Sequence, residues 1–286
     1  MAEDRPFAVR VARVRRLSPV FTRVTLADDD LTHFAAHGFD QRINLLFCDG
    51  DRREYTADDW FDRWRAAPDA TRPPLRTYTV RSFRPEACEL DIDFVVHGDA
   101  GPASRWAGRA RPGDPLIIIG PVAGASDPAA DVAWAPPAAG RLLIAADEAA
   151  LPAAAAIAEA LPPGRPATIV AEVPEPADAV PFDAPDGVTV HFLARSRGES
   201  LLPVVRELAG DLFGTAAGRA EPDLVDESDW AVPDPDAAAE GRDYAWLAGE
   251  AGTVVALRRF LVGERGVDRR SVAFMGYWRR GQAQPN

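Results

Sequence analysis

The residues whose types and spacing suit chemistry fall in two short runs. The first, Arg76-Thr77-Tyr78-Thr79-Val80-Arg81, is rich in β-branched and aromatic side chains and reads as a strand. Side chains two apart on a strand share a face, so Arg76 and Tyr78 point one way and Thr77 and Thr79 the other. The first face offers a guanidinium fork that matches phosphate oxygens. Beside it lies a flat ring on which a planar heterocycle can pack. The second run begins Val95-Val96-His97-Gly98-Asp99-Ala100 and continues Gly101-Pro102-Ala103-Ser104-Arg105-Trp106. Gly101, Ala103 and Ser104 form a small-residue turn ahead of a short helix. There, backbone N–H groups and a hydroxyl can approach an anion. Together the runs suit a ligand with phosphates and a planar ring system.

Further candidates lie in the second half of the chain. Asp147 and Glu148 follow an apolar strand over 141–146, where a helix begins. Gly249 and Glu250 follow a second apolar strand over 244–248, at the place where open α/β sheets bind ligands. A third strand, over 188–193, runs directly into Ala194-Arg195-Ser196-Arg197-Gly198. Arg195 and Arg197 at a strand end can hold a 2′-phosphate by paired hydrogen bonds, which predicts NADPH in preference to NADH. Tyr277 and Trp278 sit at the end of the last strand, where they can cover an aromatic ring or dock the end of the chain onto the barrel. No GxGxxG fingerprint occurs. His33, His37, His97 and His191 have no metal-ligand spacing, and no metal site is expected. A Gly-x-Ser-x-Gly elbow is missing, which argues against a serine hydrolase of that type.

The elements that must position these residues differ between the two halves. Residues 7–26 alternate as two strands. Further strands are expected over 44–47, 76–83, 89–97 and 116–119, with turn residues between them, the pattern of a small antiparallel Greek-key barrel. Trp60, Phe61 and Trp64 share one side of a short helix, as a flap packed on the barrel. An Ala/Pro/Asp-rich linker spans 124–140. After it, strands over 141–146, 167–173, 188–193, 244–248 and 271–277 alternate with helices over 151–161, 201–209 and 253–262. That alternation predicts a doubly wound parallel sheet. The domains are therefore 1–123 and 141–286, the second interrupted by a long acidic Pro/Ala-rich loop at 214–242.

Composition narrows the function further. A chain of 286 residues can bury two cores. Its net charge of −12 opposes non-specific binding to nucleic acid or to an anionic membrane. Every basic side chain other than histidine is arginine, so Schiff-base chemistry at a lysine is excluded. The two cysteines, Cys48 and Cys88, cannot supply the four thiolates of an ordinary iron–sulfur cluster and read as free thiols. The first residues lack the apolar segment of a signal peptide, and no apolar run reaches membrane-spanning length. A soluble, cytoplasmic, monomeric protein is expected.

The two opening runs, RTYT and FVVHGDAGPASRWA, resemble the flavin-binding signature of the ferredoxin-reductase-like flavoproteins. Their wording is similar to one branch of these, the siderophore-interacting proteins, which are flavin-dependent ferric-siderophore reductases. LLIAADEAALP resembles that family's Leu-Leu-Ala-Gly-Asp-Glu-Thr-Ala-Leu-Pro, with Ala146 and Ala149 in place of the usual glycine and threonine. The second replacement removes a hydroxyl and one cofactor contact. WLAGE, LRRFL and GYWRRG match family elements as well, so the resemblance covers nearly the whole chain.

The resemblance implies an N-terminal FAD barrel and a C-terminal NAD(P)H domain. Electrons would pass from NADPH or NADH through FAD to a ferric siderophore, a small-molecule substrate, with release of ferrous iron. Arg76 would meet the FAD phosphates, Tyr78 would pack on the isoalloxazine and Thr79 would bond its N5/O4 edge. Val95, Val96 and His97 would hold the ribityl and pyrophosphate region, and Gly101, Ala103 and Ser104 would face the phosphates. Asp147 and Glu148 would contact cofactor, Gly249 and Glu250 would line the nicotinamide site, and Tyr277 and Trp278 would close over a ring. Two other functions are compatible with the same motifs. One is a flavin reductase or electron-transfer flavoprotein with another acceptor, the other a non-catalytic flavin or siderophore carrier.

Overall fold

The computed structural model describes residues 4–48, 53–97, 101–124, 131–138, 140–213, 230–232 and 243–282. Most of the expected loop at 214–242, and residues 125–130 and 139 of the expected linker, lie outside the described residues. The chain divides into two compact units, with the boundary between Val132 and Ala133.

In the first unit, seven strands form one antiparallel sheet. They are β1 (Asp4–Arg16), β2 (Phe21–Ala27), β3 (Arg42–Leu46), β4 (Leu75–Thr79), β5 (Ser82–Arg84), β6 (Glu89–Val95) and β7 (Pro115–Pro121), in the order β4-β3-β7-β1-β2-β6-β5. Alternation explains the inner face. Phe7, Val9 and Val11 of β1 are buried while Ala8 and Arg10 between them are exposed. With Val24, Leu26, Leu45, Leu90, Ile92 and Phe94 they form one core. Paired charges bridge neighbouring strands: Arg23 of β2 with Asp93 of β6 at 2.6 Å, and Arg84 of β5 with Asp91 of β6 at 2.7 Å.

The strand expected over 76–83 is broken. β4 pairs with β3 at one edge of the sheet and β5 pairs with β6 at the other. Val80 and Arg81 make the crossing. The Val80 N–H donates to the Gln41 carbonyl and the Arg81 N–H to the Asp91 carbonyl, each at 2.9 Å. Two residues thus join the two edges of the sheet and curl it into a half-barrel, which leaves less open edge for other chains to pair with.

β7 is buried on both sides. Its Leu116 and Ile118 face the main core. Ile117 and Ile119 face Leu46, Tyr55 and Trp60, with Phe61 and Trp64 packed alongside. The short helix α1 (Trp60–Ala66) therefore covers an apolar outer face. The aromatic triplet is structural packing, as its spacing suggested.

The second unit holds β8 (Leu142–Ala146), β9 (Ala167–Val173), β10 (Val188–Ala194), β11 (Trp230–Ala231), β12 (Tyr244–Glu250) and β13 (Val272–Trp278). The sheet order is β10-β9-β8-β12-β13-β11, parallel except for the two-residue edge strand β11. Among the described residues, the α-helices that connect the strands are α3 (Leu151–Ala160), α4 (Leu201–Phe213) and α5 (Ala251–Arg258), following α2 (Pro102–Ala107) of the first unit. Leu201, Val205 and Ala209 of α4 and Val254 and Leu257 of α5 pack on Leu143, Ala145, Ala245 and Leu247 of the sheet. The alanine-rich α3 buries Ala153, Ala154, Ala155, Ile157 and Ala158. The helix expected over 253–262 changes at Arg259 to a wider π-type turn through Glu264. Among the described residues, no helix is long and apolar enough to cross a membrane.

Candidate functional site

In the first unit the site is built on β4 and the turn after β6. Arg76 is half-buried, and its Nη1 donates to the Leu75 carbonyl at 2.8 Å. Burial pulls its pKa below the ordinary arginine value, opposed by the neighbouring Tyr78. The cation is thus partly stripped of water, an environment that suits a phosphate contact. The Tyr78 ring packs on Phe94 of β6 with centroids 4.6 Å apart. Phe94 in turn meets Trp106 at 5.6 Å, and Trp106 meets Phe47 at 5.6 Å. This row of rings fixes one face of Tyr78, which is itself only partly buried. Burial pushes its hydroxyl pKa well above the ordinary tyrosine value, so it stays protonated. Thr79 is buried at the end of β4.

Val95 ends β6, and the His97 N–H donates to Ser104 Oγ at 2.9 Å. That bond ties the end of β6 to α2. Gly101 precedes α2 in an extended conformation with open space where a Cβ would stand, while Ala103 is buried in packing. A desolvated guanidinium, a ring supported on one face and a tethered small-residue turn together fit a cofactor with a planar ring and a pyrophosphate, as FAD has.

In the second unit the candidates gather at the carboxyl ends of the parallel strands. Asp147 is buried. Its Oδ1 accepts from the Ala149 N–H at 2.9 Å, and its Oδ2 accepts from the Glu250 N–H and from Trp278 Nε1, both at 2.7 Å. Burial, then the adjacent Glu148, push its pKa up to about 7, against the pull of those donors. Gly249 lies beside it with φ +142, and a Cβ there would stand 2.5 Å from the Asp147 carboxyl carbon. Glycine is required on both counts.

Glu250 caps α5 by accepting from the Thr253 N–H at 2.9 Å. Burial works against its charge, but the N–H groups of Thr253, Gly252 and Arg280 hold its pKa below the ordinary value. Trp278 is held by Asp147, and Tyr277 stacks on Trp230 with centroids 6.2 Å apart. Both rings of the expected aromatic pair therefore have partners within this unit.

Arg195 is paired with carboxylates of its own unit. Its Nη1 donates to Glu148 at 2.6 Å and to Glu172 at 3.0 Å, while its Nη2 donates to the other oxygen of Glu148. Glu148 above all raises its pKa. Both terminal nitrogens are engaged by carboxylates. Arg197 is exposed.

A cavity of about 550 Å³ opens here, lined by Glu172, Arg195, Glu199, Glu250, Arg280 and small residues including Gly198 and Gly252. Its size is that of a small-molecule site. Carboxylates accept from ribose hydroxyls and the arginines attract phosphate, so the set of groups fits part of a dinucleotide. Glu172, Glu199 and Arg280 escaped the sequence reading. Glu172 had a signal, a single charge inside the apolar strand ATIVAEV. Arg280 lay inside the GYWRRG element without a role assigned to it, and Glu199 follows the turn after β10 with no local pattern.

Comparison with known proteins gives the family of both units. Residues 10–125 match the siderophore-interacting FAD-binding domain, and residues 139–281 match the siderophore-interacting protein model. An uncharacterized protein of Mycobacterium tuberculosis is 36% identical over 97% of this chain and 91% of its own length. The ferric vibriobactin reductase ViuB of Vibrio cholerae is 28% identical over 97% of this chain and 90% of its own. The crystal structure of a siderophore utilization protein from T. fusca superposes with a TM-score of 0.71 at 32% identity, covering 99% of this chain and 97% of that one. A desolvated arginine beside a supported tyrosine ring on a curled sheet, followed by a parallel α/β unit and matched end to end by these relatives, has one reading: the chain belongs to the siderophore-interacting protein family.

Proposed function

We propose that this protein is an FAD-dependent oxidoreductase that takes electrons from a reduced nicotinamide dinucleotide and delivers them to a ferric siderophore, releasing ferrous iron. The observation that carries the reading is the half-buried Arg76 set two residues before the supported Tyr78 ring on β4, in a chain that aligns along 97% of its length with a ferric vibriobactin reductase. FAD held by these residues would supply two-electron uptake from the dinucleotide and one-electron release to the acceptor.

The chain's own residues hold and orient. Arg76 neutralises phosphate charge in a partly desolvated place. Tyr78, braced by Phe94, keeps a flat surface for the ring system. The His97–Ser104 bond fixes the turn that faces the pyrophosphate. Iron is substrate here. Hard oxygen ligands hold the ferrous ion less strongly than the ferric ion, so reduction loosens it.

The test is spectroscopic. The protein purified with its flavin should lose its yellow absorbance anaerobically on addition of NADH or NADPH. Adding a ferric siderophore should restore the absorbance while a ferrous chelator develops colour. Bleaching by neither nucleotide overturns the oxidoreductase reading. Bleaching followed by turnover of free flavin, with ferric siderophore inert, overturns the assigned acceptor.

A further inference from the structure

We infer that the cavity at the carboxyl edge of the second unit's sheet selects a dinucleotide without a 2′-phosphate, with Glu172 and Glu199 as the specificity-determining residues, so that NADH is the preferred reductant. The inference rests on the nicotinamide-dependent reading above and reverses the preference that the Arg195–Arg197 pair suggests in sequence.

The helix N-termini at this edge are already met by carboxylates of the chain. Asp147 accepts from the Ala149 and Ala150 N–H groups ahead of α3. Glu172 accepts from the Leu201 N–H at the start of α4 at 2.9 Å, and Glu250 caps α5. The positive helix ends that elsewhere attract phosphate are thus offset here.

Of the two arginines that follow β10, Arg195 lines the cavity, while the exposed Arg197 stands outside its lining. Arg195 shares its two terminal nitrogens between Glu148 and Glu172. Its fork closes on carboxylate oxygens in the paired geometry that a phosphate would need. Around it the cavity presents Glu172, Glu199 and Glu250 against Arg195 and Arg280. A phosphomonoester brings close to two negative charges at neutral pH into that excess of carboxylate. A ribose diol brings hydroxyl donors, which carboxylates accept. Glu199 is exposed, with one oxygen accepting from the Ala194 N–H at 2.6 Å, and it lines the cavity.

Binding distinguishes the possibilities without turnover. Calorimetry on the full-length flavin-loaded protein, with ADP-ribose and with 2′-phospho-ADP-ribose at one ionic strength, should give roughly tenfold or tighter binding of ADP-ribose, a ratio equal to about 1.4 kcal/mol. Glu199→Gln keeps the oxygen that meets Ala194 and removes the charge. It should narrow the ratio about threefold or more, chiefly by tightening the phosphorylated ligand. Anaerobic bleaching should be faster with NADH by a similar factor.

Equal or tighter binding of the 2′-phospho ligand, or a ratio unmoved in Glu199→Gln, overturns the inference. If neither ligand binds while both nucleotides bleach the flavin equally, the inference fails and the oxidoreductase reading stands. If neither nucleotide bleaches the flavin, both fall together.

Discussion

The indole Nε1 of Trp278 donates to the carboxylate Oδ2 of Asp147 at 2.7 Å, across 131 positions of sequence. The same oxygen accepts from the Glu250 backbone N–H. One buried carboxyl thereby binds together the ends of β8, β12 and β13, the edge where the candidate dinucleotide cavity opens. Satisfying a buried carboxylate with several donors is what makes its burial tolerable.

The first prediction concerns Gly249. Alanine there must adopt φ +142 and place its Cβ 2.5 Å from the Asp147 carboxyl carbon. Gly249→Ala should lose about 2–4 kcal/mol in urea unfolding, from backbone strain plus overpacking. In the double variant with Asp147→Ala, the steric part of that loss should disappear. A strictly additive double-mutant cycle would show that the two residues do not meet.

The second concerns pH. The Asp147 carboxyl titrates at about 7 in the folded protein against 3.8 for a free side chain. Between those values the folded state keeps a proton that the unfolded chain has released. The group therefore favours folding at low pH, and its contribution declines by about 1.4 kcal/mol per pH unit as pH rises through that window, then levels above it. Asp147→Asn does not titrate. Its stability relative to the wild type should rise between pH 5 and pH 8, measured by urea unfolding. A constant difference would refute the assignment. Trp278→Phe removes a donor that favours the charged form, so the upper end of the window should move further up.

The third concerns the flavin. Arg76→Ala should purify with far less FAD and bind added FAD weaker by about 2 kcal/mol, the loss of a charge-assisted contact. Tyr78→Phe keeps the ring against Phe94 and should retain FAD near the wild-type level, while Tyr78→Ala should not. Full occupancy in Arg76→Ala, read from the ratio of flavin to protein absorbance, would remove Arg76 from the site.

The fourth concerns the thiols. Cys48 packs beside the α1 cluster and Cys88 against the main core of the first unit, both partly buried and neither in a disulfide. Neither has an electron-transfer role in this reading. The double variant Cys48→Ser, Cys88→Ser should reduce ferric siderophore at close to the wild-type rate, measured with a ferrous chelator. A folded variant without activity would overturn that.

Much of the architecture was legible in the chain because it depends on neighbours in sequence. The alternation of Phe7, Val9 and Val11 dictates an inward face of β1, since the strand period is two. The apolar runs at β8 and β12, each leading into a helix, dictate a parallel sheet because only a crossover helix can return the chain in the same direction. The order of residues from Arg76 to Tyr78 already placed a guanidinium and a ring side by side.

Tertiary structure decided what depends on partners far along the chain. The run 76–83 looks continuous, and only the Gln41 and Asp91 carbonyls, reached by long-range pairing, split it at Val80 and Arg81. Gly249 reads locally as a switch-point glycine. Its necessity comes from Asp147, about a hundred residues earlier, occupying the space of a Cβ. Arg195 reads locally as a phosphate ligand at a strand end. Its charge is claimed by Glu148 and Glu172, brought to it by β8 and β9. Sequence states which groups a residue carries. Which of those groups remain available to a ligand is settled only when the fold has distributed opposite charges among them.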